Sequence, residues 1–239
     1  MRIAVVSDIH GNLAAFEAVL ADLRVTTPDL IFHGGDLPHG GSHPAEIVDR
    51  IRDLEWPGVL GNTDEMLFDA QSLKSFAAGL PQLAGLFAAV EVMGEWTRAA
   101  LGEQRIEWLK SLPRVVKHDD MALVHASPES TWRSPGSQSS DAELREVYGP
   151  LEKPIAVYGH LHHPFVRNLD GLTVVNSGSV SLSYDGDARA AYLLIDDSKP
   201  TIRRVAYEVD REVAALTESG MPHADWTIRI LRAAAPLPL

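Results

Sequence analysis

The chain has 239 residues, and 21 Lys and Arg against 33 Asp and Glu give a formal charge of −12. Without clustered cations, general nucleic-acid coating and adhesion to anionic membranes are excluded, because both need Lys and Arg patches. Cysteine is absent, which rules out disulfides, thiolate nucleophiles, Cys-ligated zinc and iron–sulfur centres, so any metal must be held by nitrogen and oxygen.

The opening stretch MRIAVVSDIHG has too short an apolar run for a secretory signal and no small-residue cleavage site. No run of about 18 apolar residues follows anywhere, so the expectation is a cytoplasmic chain with no membrane partner. Ile3 to Val6 is continuously apolar and ends at Ser7-Asp8, as a strand buried on both faces would. Asn12 to Arg24 has helical spacing, with Leu13, Phe16, Val19, Leu20 and Leu23 recurring on one face and Asn12 placed as N-cap. The unit then recurs more loosely. Leu30 to Phe32 predicts a second strand before a Gly-rich loop, Pro44 to Leu54 a helix with Ile47, Val48 and Ile51 inward, and Val59–Leu60 a third strand end before a helix from about Thr63. Such alternation predicts βαβ crossovers and parallel pairing.

From Phe68 to Leu112 the chain is rich in Ala, Leu and Trp and broken at Gly79, Pro81, Gly94 and Pro113, which predicts two or three helices in a cap or flank at 68–112. Short apolar runs follow at Val115–Val116, Ala122–Val124, Ile155–Tyr158, Thr173–Val175, Ala190–Ile195 and Ile202–Val209, a strand-rich half. Ser137 to Tyr148 reads as a short helix or a surface loop, and Arg211 to Ala234 as two helical pieces split near Pro222. No repeat or low-complexity linker divides the chain, so one domain over 1–239 is expected, with two packed sheets and helices outside.

The chemistry-bearing residues sit where strands end. Asp8 and His10 follow the first strand, Asp36 the second, Asn62 and Asp64 the third, His125 a later one, and His160 and His162 another. Ligand sites in α/β sheets lie outside the carboxyl ends of strands, so these loops should converge. Each candidate adjoins Gly11, Gly34–Gly35, Gly61, Ala126 or Gly159, small residues that allow close backbone approach. The set Asp8, His10, Asp36, Asn62, His125, His160 and His162 exceeds the four ligands of a structural zinc site and suits two cations, with Asp36 as the natural bridge. Carboxylate, imidazole and amide ligation without thiolate fits Mn²⁺, Fe, Co²⁺, Ni²⁺ or Zn²⁺. A locally cationic pocket in an acidic protein would hold a phosphate oxygen and activate a bridging water for in-line attack on phosphorus.

The ordered set Asp8-x-His10, Gly35-Asp36, Gly61-Asn62-x-Asp64, His125 and Gly159-His160-x-His162 resembles the calcineurin-like metallophosphoesterase superfamily, and SDIHGN is most similar to its small bacterial and archaeal phosphodiesterase branch. The resemblance covers Met1 to Ser183. It implies a four-layer αββα sandwich of two mixed sheets, with Asp8, His10, Asp36 and His162 around one metal and Asp36, Asn62, His125 and His160 around the other. It also implies Mn²⁺ as the activating ion and a small phosphate ester, nucleotide-derived in some relatives, as substrate. One departure bears on mechanism. Phosphatases of the superfamily carry His after Gly-Asn in the third motif, to protonate the leaving group, whereas this chain has Thr63, which cannot supply that proton near neutral pH. Small phosphodiesterases of the branch often lack that His as well. His39 is the candidate leaving-group acid, with water as the rival, and Asp64 a candidate for orienting a ligand.

Other residues have plainer readings. Asn12 is a helix cap or a phosphate contact, and Asn62 a ligand, a substrate contact or a turn residue. His33, His43, His118, His163 and His223 read as packing or surface residues, and Trp132, just after His125, as a specificity element. The alternatives to a phosphodiesterase are a phosphomonoesterase, a dinucleoside-polyphosphate hydrolase, or a non-catalytic scaffold of the same fold like the related retromer subunit. The stretches DLPHGG and GNTDE depart from the polyphosphate hydrolases, and the complete donor set departs from the scaffold.

Overall fold

The computed structural model describes residues 1–239. Strand β1 (Arg2–Val6) shows how the layers arise: alternation along a strand sends Ile3 and Val5 to one side and Ala4 and Val6 to the other. Behind it come α1 (Leu13–Thr26), β2 (Leu30–His33), α2 (Pro44–Asp53), the single turn α3 (Asn62–Glu65), α4 (Ala70–Ala77) and α5 (Ala84–Lys110). The second half supplies β3 (Val115–His118), β4 (Met121–Val124), α6 (Asp141–Tyr148), β5 (Ile155–Tyr158), β6 (Phe165–Leu169) and β7 (Leu172–Asn176). It ends in β8 (Ala190–Asp196), β9 (Lys199–Val205), α7 (Val209–Ser219) and α8 (Ala224–Ala233).

The strands form two mixed sheets, ordered β2-β1-β8-β9 and β3-β4-β5-β7-β6. β1 runs parallel to β2, with Ile3 opposite Leu30, and antiparallel to β8, with Ile3 opposite Ile195. In the second sheet β4, β5 and β7 are parallel, while β3 and β6 are antiparallel edges. Val5, Leu123, Val157 and Leu193, all fully buried, meet between the sheets, and each such side chain contributes about 2 kcal/mol by leaving water. Ala4, Val6 and Tyr192 instead pack under α1, α2 and α5, and Ala122, Ala156 and Val174 under Leu144 and Tyr148 of α6. The architecture is the expected α/β four-layer αββα sandwich. α5, α7 and α8 share a further apolar cluster around Met93, Leu216 and Ile230.

Three local expectations are corrected, and one strand is added. Val59–Leu60 is not a strand end: Gly58 makes a single bridge to His33, and Leu60 N–H goes to the Pro113 carbonyl, 2.9 Å away. Gly94 does not break a helix but lies inside α5, where an added Cβ would meet Met66 Cε at 2.9 Å; the break falls at Gly102, whose φ of 68° is left-handed. The run ending at Val209 stops at Val205, because Glu208 and Asp210 open α7 there. β6 was not foreseen, since its alternation is that of a half-exposed edge with Arg167 and Asn168 in its middle. No single helix is long and apolar enough to cross a membrane; α4 and Pro81–Lys110 meet that length and apolarity only jointly, bent by 119°.

Candidate metal centre

Parallel pairing of β1 with β2 and of β4 with β5 brings the loops carrying Asp8, His10, Asp36, His125, His160 and His162 to one end of the sandwich, and the start of α3 adds Asn62. These loops are tight. Asp8, His10, Asp36, His160 and His162 all have positive φ, between 49° and 65°, a region that costs non-glycine residues about 1–3 kcal/mol and persists where surrounding structure imposes it. Gly61 and Gly159 are required by close approach, since a Cβ on Gly61 would lie 2.1 Å from Asp36 Oδ1 and one on Gly159 2.4 Å from Asp8 Oδ2.

Two adjoining donor groups result. In the first, ligand atoms of Asp8, His10, Asp36 and His162 all lie within 4.8 Å of one another. His162 Nε2 is 3.1 Å from Asp8 Oδ1, and His10 Nε2 is 3.7 Å from Asp36 Oδ2. In the second, Asn62 Oδ1 is 2.8 Å from His125 Nε2 and 2.9 Å from His160 Nδ1, and His125 Nε2 is 3.4 Å from Asp36 Oδ1. Asp36 thus turns one oxygen towards each group.

Hydrogen bonds behind the rings set their tautomers. His10 Nδ1–H donates to the His39 carbonyl at 2.7 Å, His162 Nδ1–H to the Leu182 carbonyl at 2.7 Å, and His125 Nδ1–H to the Gly34 carbonyl at 2.8 Å. In the neutral form of each ring, Nε2 is the nitrogen that carries the lone pair. His10 Nε2 and His162 Nε2 face each other at 3.1 Å beside the Asp8 and Asp36 carboxylates, an arrangement that a cation would satisfy. The donor set therefore fits a metal.

Charge follows the same logic. Burial opposes ionisation of Asp8, but His162, His125 and His10 outweigh it and hold its carboxyl well below the usual range. Asp36 is likewise lowered, burial being outweighed by His125 and His10. Burial and then His162 lower His10, and burial and then His125 push His160 down to about 4. His125 is raised, since Asp36 and Asp8 overcome its burial.

Asp64 braces the centre. Its carboxylate accepts the N–H groups of Asp36, Leu37 and Gly61, each at 2.9 Å, which ties the second loop to the third; burial and then Asp36 push it up to about 7. Thr63 N–H donates to Asp36 Oδ1 at 2.9 Å, and the Thr63 hydroxyl is buried without a partner at the rim of the cavity. Ser7 Oγ donates to Asp8 Oδ2 at 2.5 Å.

The remaining candidates sort differently. Asn12 is fully buried and does not line the cavity: its Oδ1 accepts Ala15 N–H at 2.9 Å as the cap of α1, and its Nδ2 donates to Ser181 Oγ at 3.1 Å. His39 lines the cavity, but burial and then His10 push it down to about 3, so it carries no imidazolium proton near neutral pH, which argues against the expected leaving-group acid. Trp132 lines the cavity beside Phe76, ring centroids 5.1 Å apart. Tyr184 was missed. It stacks on His162 at 4.6 Å, yet it follows β7 in an irregular segment with no periodicity or motif to mark it.

Both donor groups open onto a cavity of about 430 Å³. The calcineurin-like phosphoesterase superfamily domain matches residues 1–199. The chain is 29% identical over 243 residues to an uncharacterized protein of Methanocaldococcus jannaschii, covering 92% of this chain and 93% of that one. It is 26% identical over 208 residues to the phosphodiesterase YfcE of Escherichia coli, covering 82% of this chain and 88% of that enzyme. The solved structure of a metallophosphoesterase from Sphaerobacter thermophilus superposes with a TM-score of 0.79 at 27% identity, covering 98% of this chain and 100% of that one. The fold is also that of a hypothetical protein from Pyrococcus horikoshii, TM-score 0.83 at 18% identity over 99% of both chains. With these motifs on these loops and the superfamily domain matched over most of its length, the chain belongs to the calcineurin-like phosphoesterase superfamily, whose members hydrolyse phosphate esters with the help of metal ions.

Proposed function

We propose that the protein is a dinuclear metal-dependent phosphodiesterase. Asp8, His10, Asp36 and His162 would hold one divalent cation, and Asp36, Asn62, His125 and His160 the other, with Asp36 between them. The supporting observation is the pair of imidazole nitrogens on His10 and His162, 3.1 Å apart among carboxylate oxygens. Mn²⁺ is the proposed ion, and Fe, Ni²⁺, Co²⁺ or Zn²⁺ suit the same donors. The similarity to the phosphodiesterase YfcE supports a diester over a monoester. In this reading 1–239 is one domain, and α4 with α5 is its cap.

When bound, two such cations supply a nucleophilic water at neutral pH and neutralise charge on the phosphoryl oxygens. The chain's own residues set the stage for that. Backbone carbonyls of His39, Leu182 and Gly34 fix the ring tautomers, and Asp64 fixes the Asp36 loop. Asn62 faces the substrate side of the cavity, and the Thr63 hydroxyl is free to donate to a phosphoryl oxygen there. With Thr63 in place of the family's His and His39 neutral, esters with good leaving groups are cleaved best, because they need no proton from the protein.

A dinucleoside-polyphosphate hydrolase is disfavoured because no Lys or Arg lines the cavity to meet further phosphates. Elemental analysis after chelator-free purification, paired with hydrolysis of a bis-aryl phosphate with and without Mn²⁺, tests the proposal. Near two metals per chain and Mn²⁺-stimulated cleavage, abolished by Asp36→Asn, are expected; less than one metal and no cleavage in any divalent ion would favour a scaffold.

A further inference from the structure

Beyond the metal donors, the cavity is lined mainly by hydrocarbon, interrupted by His39, Thr63, Tyr184, Thr227 and the unpaired Nε1 of Trp132. One wall is the start of α5, with Leu86, Phe87 and Val90 turned inward and only half-buried, joined by Phe76 from α4. The opposite wall is α8 and the segment after it, which contribute Trp226, Ile230 and Leu237. Trp226 Nε1 donates to the Leu237 carbonyl at 2.9 Å, which pins that segment to α8 beside the cavity. This second wall lies beyond residue 199, where the match to the superfamily domain ends.

The charged or imidazole-bearing groups in the walls are Asp36 and the histidines His10, His39, His160 and His162, all at the metal end. Along Leu86, Phe87, Val90 and Ile230, a sugar or a second phosphate would leave its polar groups unpaired, at a desolvation cost of about 1–3 kcal/mol each. A hydrocarbon group gains by entering. A volume near 430 Å³ falls in the range of about 300–1,000 Å³ typical of small-molecule sites, so the cavity is large enough to select a substrate.

We infer that the phosphate ester taken by this site carries a hydrocarbon group, which lies between α5 and α8 while the phosphoryl group sits against the metal donors. The inference rests on the phosphodiesterase reading and names its substrate class. Binding specificity then resides in Leu86, Phe87, Val90, Trp226 and Ile230, and Leu237 closes over the bound chain.

Kinetics on 4-nitrophenyl alkyl phosphates, from methyl to octyl, with the full Mn²⁺-loaded chain provide the test. KM should fall about fourfold per added methylene until the cavity is full, with kcat changing little; a nucleoside 4-nitrophenyl ester should bind no better than the methyl ester. Phe87→Ser and Val90→Ser should flatten the dependence, and the series on the unaltered chain remains decisive if either variant misfolds. Presenting the octyl ester free or in neutral vesicles separates its sources: rates that follow the dissolved concentration assign an ester taken from water, and rates that follow the vesicle surface assign one taken from a bilayer. Calorimetric titration with butylphosphonate and octylphosphonate, with and without Mn²⁺, reads the cavity without turnover. Equal KM and equal affinity along the series would overturn the inference whether or not esters are cleaved. Affinity that rises with chain length without any hydrolysis would support it and overturn only the phosphodiesterase reading.

Discussion

His10 and His162 turn their Nε2 atoms towards each other at 3.1 Å, while their Nδ1 atoms lie at hydrogen-bond distance from backbone carbonyls. A divalent cation between these nitrogens and the adjoining Asp8 and Asp36 oxygens would be held by all four residues, so the folded state should be stabilised by divalent metal. At about 100 times the dissociation constant, a ligand that binds only the folded chain adds about 2.7 kcal/mol, or about 5–10 °C in Tm for a chain of this size. Thermal unfolding with Mn²⁺ and with a chelator should differ by that amount, and Asp36→Asn should remove the difference. Identical curves would argue against metal at these residues.

Asp64 accepts N–H groups from Asp36, Leu37 and Gly61. Asp64→Ala leaves these donors buried without partners, each worth about 1–3 kcal/mol, and releases the loop that carries Asp36. Urea unfolding should show at least about 3 kcal/mol of destabilisation, and metal titration a 10- to 100-fold loss of affinity, the usual effect of removing a group that orients ligands. Wild-type affinity in a folded variant would show that the loop is held by other contacts.

Asn12 caps α1 through Ala15 N–H and bonds Ser181 on its other side. Asn12→Ala should lower stability by about 1–2 kcal/mol while leaving KM for a bis-aryl phosphate unchanged. A raised KM at unchanged stability would restore the phosphate-contact reading.

His33, at the end of β2, is fully buried with neither ring nitrogen partnered, and burial pushes it down to about 3. The unfolded chain takes up a proton there below about pH 6.5, and the folded chain does so only near 3. The folded pKa is depressed, so the contribution of this residue is whole above about pH 6.5 and declines as the pH falls towards 3, by about 1.4 kcal/mol per unit. Between pH 7 and pH 5 the wild type should therefore lose about 2 kcal/mol more than His33→Leu in denaturant unfolding. Parallel losses would mean that His33 does not titrate across this window.

Thr63 occupies the position where the superfamily's phosphatases carry a leaving-group acid, and its hydroxyl borders the cavity. Thr63→His should leave metal content intact and raise the rate on an alkyl monoester about tenfold or more if protonation limits it. An unchanged rate, with metal retained, would place the limiting step elsewhere.

Much of this was legible along the chain. Ile3–Val6, Leu13–Leu23 and Ile155–Tyr158 announce strand or helix by period, because burial of one face or both is written into the spacing of apolar side chains. Val59–Leu60, Gly94 and β6 were misread or missed for the opposite reason: what decided them was a partner distant in sequence, the Pro113 carbonyl, the Met66 side chain or the neighbouring β7.

The candidate site divides in the same way. Sequence alone determined the donor types, their order and their place at strand ends, since no cysteine is present and Asp, His and Asn recur beside glycine. Only tertiary structure decided that Asn12 stays away from the cavity, that burial depresses the His39 imidazole, that Asp64 ties two loops together and that α5 and α8 line a largely hydrocarbon cavity. Those properties depend on desolvation and on which atoms meet across the fold, and a side chain's solvent and partners are set by residues that the linear order places far away.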